Sequence, residues 1–360
     1  MPLTLEYTFE AHKTACWAVA VHPQLQLIAT VSGDKTCKIF DLESKQLLAT
    51  LGDGTHSKTT RCASFKPSVD FPTVAVGSFD GTVSIWGRDL TVDEEEDEEA
   101  GSHDASSTTG ESDWELLAVI EGHENEVKSV DWSHDGRYLA TCSRDKSAWI
   151  WETDDTNEEF ECINVIQEHD QDVKHVTWHP RENLLATCSY DETCRVFRQD
   201  PYDEDDWMCV AKLDDAEGTV WSSAFEKFSE EGIVRLVTCS DDTKVRVYRK
   251  QKGAKKSNNG DIPPVPSSLK DEEEWVLEAV LPQVHDRPIY SVDWSDDGMI
   301  VSGGCDGRIG VYREVDGKWQ VVATQERAHG VYEINCVKWW DGKVLSAGDD
   351  GKVKLWQLTE

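Results

Sequence analysis

The chain has 360 residues, 38% of them hydrophobic, enough to bury a sizeable core, and a formal net charge of −34. Such a field repels polyanions, so no direct nucleic-acid ligand is expected: phosphate binding needs clustered Lys and Arg. Eleven cysteines, an odd number without a paired framework, read as reduced, buried thiols of the cytosol or nucleus. The start, MPLTLEYTF, lacks the basic head and apolar core of a signal peptide, and no apolar run reaches membrane-spanning length. A soluble intracellular protein without membrane contact is expected.

Taken in order, Leu3–Phe9 stands ahead of a unit containing CWAVAV at Cys16–Val21, LIATVS at Leu27–Ser32, TCKIF at Thr36–Phe40 and an apolar stretch near Gln46–Leu51. Each reads as a short strand bounded by turn residues. The second unit follows the same plan to Trp86. The period then breaks: 88–113 is acidic and rich in Ser, Thr and Gly, and is expected to be a flexible insertion before an outer strand at Glu115–Ile120. The third unit is the cleanest, with strands at Val127–Trp132, Tyr138–Cys142 and Ala148–Trp151. The fourth repeats it closely, HDQDVKHVTW against HENEVKSVDW. The fifth is irregular, and 250–274, rich in Pro, Ser and charge, is expected to be a second, linker-like insertion. Its Lys250, Lys252, Lys255 and Lys256 could form a nuclear import signal, although a solvated linker is the simpler reading. Two further units complete the chain.

An Asp followed six residues later by an aromatic marks every unit: Asp34/Phe40, Asp80/Trp86, Asp145/Trp151, Asp191/Phe197, Asp242/Tyr248, Asp306/Tyr312 and Asp350/Trp356. Six of these Asp residues follow a His by 21 to 24 positions: His12, His56, His123, His169, His285 and His329. The fifth unit has Ala216 instead. This pattern resembles the WD-repeat family, which implies an all-β, seven-bladed WD-repeat β-propeller spanning 1–360 as one domain. In such a ring the N-terminal strand completes the last blade, so Leu3–Phe9 is expected beside Lys352–Gln357.

A His, an Asp and an aromatic repeated in every blade point to structure, because a catalytic constellation is unique and asymmetric. His123, Asp145 and Trp151, His169 and Asp191, and His329, Asp350 and Trp356 are therefore read as packing relays, with His bonded to the turn Asp and onward through Ser to the indole N–H. Phe40, Phe197, Tyr248 and Tyr312 lack the indole, which implies incomplete relays there. Neither the ligand spacing of a zinc or iron–sulfur site nor a phosphate loop or nucleophile elbow is present, so no enzyme, metal or cofactor is expected.

Function is then expected on the surface. The family's geometry projects onto one face the residue before each turn Asp, and one position near the start of each inner strand. By motif the first set is Gly33, Phe79, Arg144, Tyr190, Asp241, Cys305 and Asp349, and the second Trp17, Arg61, Lys128, Lys174, Trp221, Tyr290 and Asn335, with Glu126 and Asp172 alongside. Arg61, Lys128, Arg144 and Lys174 interleaved with Trp17, Phe79, Tyr190, Trp221 and Tyr290 suit a peptide carrying carboxylates and an aromatic anchor. Arg144 is the first choice, since a long cation beside a structural Asp has little to do in a core.

Longer strings narrow the resemblance: EGHENEVKSVDWS at Glu121–Ser133, LATCSRDKSAWIWE at Leu139–Glu152, QDVKHVTWHP at Gln171–Pro180, GTVWSS at Gly218–Ser223 and HGVYEIN at His329–Asn335. They resemble the WD-repeat proteins of cytosolic iron–sulfur assembly, the last string their fungal members. The resemblance implies a non-enzymatic adaptor of a targeting complex in cytoplasm and nucleus. The implied partners are a MIP18-family assembly protein, an MMS19-type HEAT-repeat protein, an iron-only-hydrogenase-like assembly protein and apo iron–sulfur clients. It also gives Arg144, in its Ser-Arg-Asp-Lys string, a functional role. A ubiquitin-ligase substrate receptor and a histone-tail reader are the alternatives. The first wants Trp-Asp-x-Arg at a blade end, and the second an acidic channel mouth.

Overall fold

A computed structural model describes residues 2–52, 54–88, 114–227, 233–251 and 273–359. Its described residues form strands and turns, with seven four-stranded antiparallel sheets. The third sheet is representative. Val127–Trp132, Tyr138–Ser143, Ala148–Thr153 and Phe160–Ile166 pair in chain order, with Leu139 opposite Trp151 and Ile150 opposite Asn164. Alternating Val, Leu, Ala and Ile supply β-branched and small apolar side chains to both faces, and the second strand, YLATCS, is buried throughout.

The inner strands are Cys16–Val21, Thr60–Phe65, Val127–Trp132, Val173–Trp178, Val220–Phe225, Ile289–Trp294 and Ile334–Trp340 of blades 1 to 7. Each contacts the inner strand of the next blade, blade 7 returning to blade 1, so the sheets form a closed seven-bladed propeller. The core lies between blades: one cluster joins Tyr138 and Ile150 of blade 3 to Val176 and Trp178 of blade 4. Another joins Phe9, Leu355 and Val353 of blade 7 to Val19 and Ile28 of blade 1.

The N-terminal strand Leu3–Phe9 closes the ring as expected, pairing antiparallel with Val353–Leu358 from Leu3 opposite Leu358 to Phe9 opposite Val353. Gly351 completes the joint. Its carbonyl accepts from the His12 N–H at 2.8 Å, and at φ 74° a Cβ there would come within 2.4 Å of the His12 carbonyl.

The expected insertions have different edges. Arg88 ends a strand and pairs with Trp114, so the outer strand of blade 2 starts one residue before the expected Glu115. Lys250 likewise ends a strand opposite Trp275, and its Nζ meets Glu273 at 2.5 Å. It is therefore part of blade 5, not of a linker. The acidic run at 93–99 and Lys252, Lys255 and Lys256 lie outside the described residues. All eleven cysteines are free, and eight are buried.

Candidate functional site: a cationic and aromatic rim

The repeated His and Asp side chains are absorbed by the blades. His123 Nδ1 is 2.8 Å from Asp145 Oδ2, and its Nε2 is 2.8 Å from Thr141 Oγ1, which accepts from Trp151 Nε1 at 3.0 Å. His169 joins Asp191 and Thr187 in the same way, and His329 joins Asp350 and Ser346, to which Trp356 donates. The connecting hydroxyl is thus Thr in blades 3 and 4, where Ser was expected. Blade 6 also corrects the expectation: the Tyr312 hydroxyl is 3.3 Å from Ser302 Oγ, which meets His285 Nε2 at 2.7 Å, so a phenol completes the relay in place of an indole.

Blade 5 contains a residue that sequence reasoning missed. Where Ala216 stands for the His, Arg246 reaches the turn Asp242 with two nitrogens, Nη2 to Oδ2 at 2.5 Å and Nη1 to Oδ1 at 3.1 Å. The available signal was an Arg four positions after the turn Asp in the one unit without a His.

One backbone device explains the seven-fold rim. In every inner strand the register slips by one residue, leaving a bulged position, and these positions are Trp17, Arg61, Lys128, Lys174, Trp221, Tyr290 and Asn335. A bulge re-aims a side chain out of the pleat. The residue before each turn Asp then donates its N–H to the carbonyl two positions ahead of the bulge: Gly33 to Ala15, Phe79 to Thr59, Arg144 to Glu126, Tyr190 to Asp172, Asp241 to Thr219, Cys305 to Pro288 and Asp349 to Glu333. Both rim positions of every blade are thereby held at the same end of the sheet.

All nine expected binding residues fall on this rim, and most touch one another. Arg61 lies over Trp17 at 5.5 Å, Lys128 over Phe79 at 4.3 Å, and Lys174 over Tyr190 and Trp221 at 5.2 and 5.3 Å. Trp221 packs edge-on against Tyr290, with ring centroids 5.2 Å apart. These cation–π contacts hold the cations over apolar faces instead of leaving them extended into water. Arg144 stands out from the surface, its side chain 55% exposed, at 3.6 Å from Glu126 and 4.0 Å from Asp172. Lys128 donates to Glu126 at 2.6 Å and Lys174 to Asp172 at 3.2 Å. Burial alone would raise Glu126, but the hydrogen bond from Lys128 and the charges of Lys128 and Arg144 hold it below its ordinary range.

Lys128, Arg144, Lys174, Glu126, Asp172, Gln171 and Tyr190 line an open cleft of about 220 Å³ between blades 3 and 4. Three cations share two carboxylates there, so the cleft is positive in a strongly negative chain. Blades 5 to 7 are different: Trp221 Nε1 donates to Asp241, Asn335 donates to Asp349, and the Cys305 thiol donates to Glu333. The rim therefore has a cationic arc on blades 2 to 4 and an acidic arc opposite.

Such a ring of bulged and clamped blades defines a repeat propeller, and comparison with known families agrees. A model described as "WD domain, G-beta repeat" matches residues 3–41, 45–87, 114–152, 160–198, 277–313 and 319–357, and the chain belongs to that family. Each match runs from the outer strand of one blade through three strands of the next. The span between the fourth and fifth matches contains Ala216 and Arg246. Within the family the chain is similar to proteins named "Probable cytosolic iron-sulfur protein assembly protein 1". That of Candida dubliniensis is 51% identical, over 98% of this chain and 99% of the relative. Those of Vanderwaltozyma polyspora and Kluyveromyces lactis are 49% and 47% identical, over 99% of both chains in each case.

Proposed function

We propose that this protein is a non-catalytic adaptor of cytosolic iron–sulfur protein assembly, which uses the rim to receive partners or client proteins. The observation that carries this reading is the cationic and aromatic arc from Trp17 to Tyr290, set in a chain of charge −34 that is similar over its full length to relatives named for that process. Cations stacked on aromatics, beside a half-exposed arginine, suit acidic segments with aromatic anchors. The His and Asp side chains that might have served catalysis are occupied in holding blades together. In this reading the iron–sulfur cluster is cargo. The partners are a MIP18-family assembly protein, an MMS19-type HEAT-repeat protein, an iron-only-hydrogenase-like assembly protein and apo iron–sulfur clients of cytoplasm and nucleus.

The test is a pulldown from cytosol with the wild-type chain and with Arg144→Glu, read by mass spectrometry, with circular dichroism as folding control. Recovery of the HEAT-repeat and MIP18-type proteins, with iron–sulfur clients lost only in the variant, supports both the role and the face. Recovery of cullin adaptors or histones instead would replace the adaptor reading.

A further inference from the structure

The four cations of the rim are not equivalent. Lys128, Arg144 and Lys174 each meet Glu126 or Asp172. Arg61 has no carboxylate partner among the described residues. Its guanidinium donates weakly to the Trp17 carbonyl at 3.4 Å and otherwise lies against the Trp17 ring. It is also partly buried, and that burial lowers its pKa from the ordinary value.

Gly33 contributes no side chain where the other blades carry Phe79, Arg144, Tyr190, Asp241, Cys305 and Asp349. A Cβ on Gly33 would lie 3.2 Å from Thr14 Oγ1 and 3.7 Å from Trp17 Nε1, and that indole N–H has no acceptor. A shielded cation without a counter-ion and a buried donor without an acceptor both cost folding free energy that a bound anion removes.

We propose that Arg61, with the Trp17 indole as its floor and the Gly33 notch as its entrance, is the carboxylate-binding subsite of the rim. An acidic peptide ligand places a carboxylate on Arg61, while Arg144, already shared between Glu126 and Asp172, guides its approach. The kind of ligand rests on the adaptor reading above; the choice of Arg61 rests on the pairing of charges within the rim.

The experiment uses the full chain and a dye-labelled synthetic peptide of alternating Asp and Tyr, read by fluorescence anisotropy. Its Asn-for-Asp counterpart and inorganic phosphate as competitor form the other arms. Arg61→Gln is expected to weaken the Asp peptide about tenfold or more, the size of one charge-assisted hydrogen bond. The Asn peptide should bind both proteins equally, millimolar phosphate should not compete, and the variant should melt at or above the wild-type temperature. Equal affinity of both proteins for the Asp peptide, equal losses with both peptides, no wild-type binding, or displacement by phosphate would each overturn the proposal. So would early melting of Arg61→Gln, which would make Arg61 a structural group. The adaptor reading fails separately, if the wild-type chain captures no iron–sulfur assembly protein from cytosol.

Discussion

In the fifth blade Arg246 grips Asp242 with two nitrogens, at 2.5 and 3.1 Å, in the role that a histidine plays in the other six blades. Both side chains are buried, so removing the cation strands a carboxylate in a shielded site. Arg246→Ala is expected to cost about 3–5 kcal/mol, the usual consequence of breaking a buried pair from one side. Urea unfolding measures it. A loss below about 1 kcal/mol would mean that the turn is held by Ser240 and the Lys244 and Glu217 backbone alone.

Ring closure gives a second expectation. Phe9 is 2% exposed and packs between Phe40 of blade 1 and Val353 of blade 7. Phe9→Ala should cost about 3–5 kcal/mol, as for other large aromatic truncations in cores. Deleting residues 1–9 should cost more, because it also bares the ladder of Val353–Leu358. Thermal unfolding of both variants tests this, and unchanged midpoints would refute closure by this strand.

Acid should unfold the ring through its turn aspartates. Burial, the largest single influence, pushes Asp34, Asp80 and Asp145 up, but several hydrogen bonds and the neighbouring histidine together outweigh it: bonds from His12 and Thr36 to Asp34, from Thr82 and the Ser57 N–H to Asp80, and from His123 and Ser147 to Asp145. Each carboxyl is left at about 2 against an ordinary 3.8. A carboxyl whose folded pKa lies below its unfolded value adds stability above the unfolded value and loses it as the pH falls through the folded one. Urea midpoints should therefore hold from neutrality to about pH 4 and fall steeply between about 4 and 2. Asp145→Asn should lower the plateau and soften the fall. A plateau that already collapses near pH 6 would assign acid sensitivity to the histidines.

Arg144 should separate binding from stability. Its ion pairs are long and exposed, so Arg144→Ala should change stability by no more than about 0.5 kcal/mol. Client capture should nonetheless drop. Lys128→Ala should cost stability as well, since its ammonium is held between Glu126 and the Phe79 ring. Parallel melting curves and pulldowns distinguish the two.

Periodicity marked seven units and their short strands, because alternating apolar residues and turn signals are local and recur seven times; the ring and the pairing of Leu3–Phe9 followed from the resemblance to WD-repeat proteins. The rim was legible through that resemblance, and its physical cause is in the fold: a bulge at a fixed offset places the same position of every blade on one face. The His–Asp pairs were legible too, since their spacing is set by one hairpin.

Other features depended on neighbours distant in the chain. Arg246 replaces a histidine only because the hairpin folds its guanidinium back onto Asp242, and Tyr312 completes a relay only because its hydroxyl reaches Ser302. The ranking of the cations was hidden as well. Arg144 stood out in sequence as the cation beside a structural Asp, yet Glu126 and Asp172 flank it in space, while Arg61 is left on Trp17 without a carboxylate. Composition and repeat spacing determine the scaffold because they act within one blade. Which charge remains unpaired is decided between blades, where residues far apart in sequence come within a few ångströms and share or withhold a counter-ion.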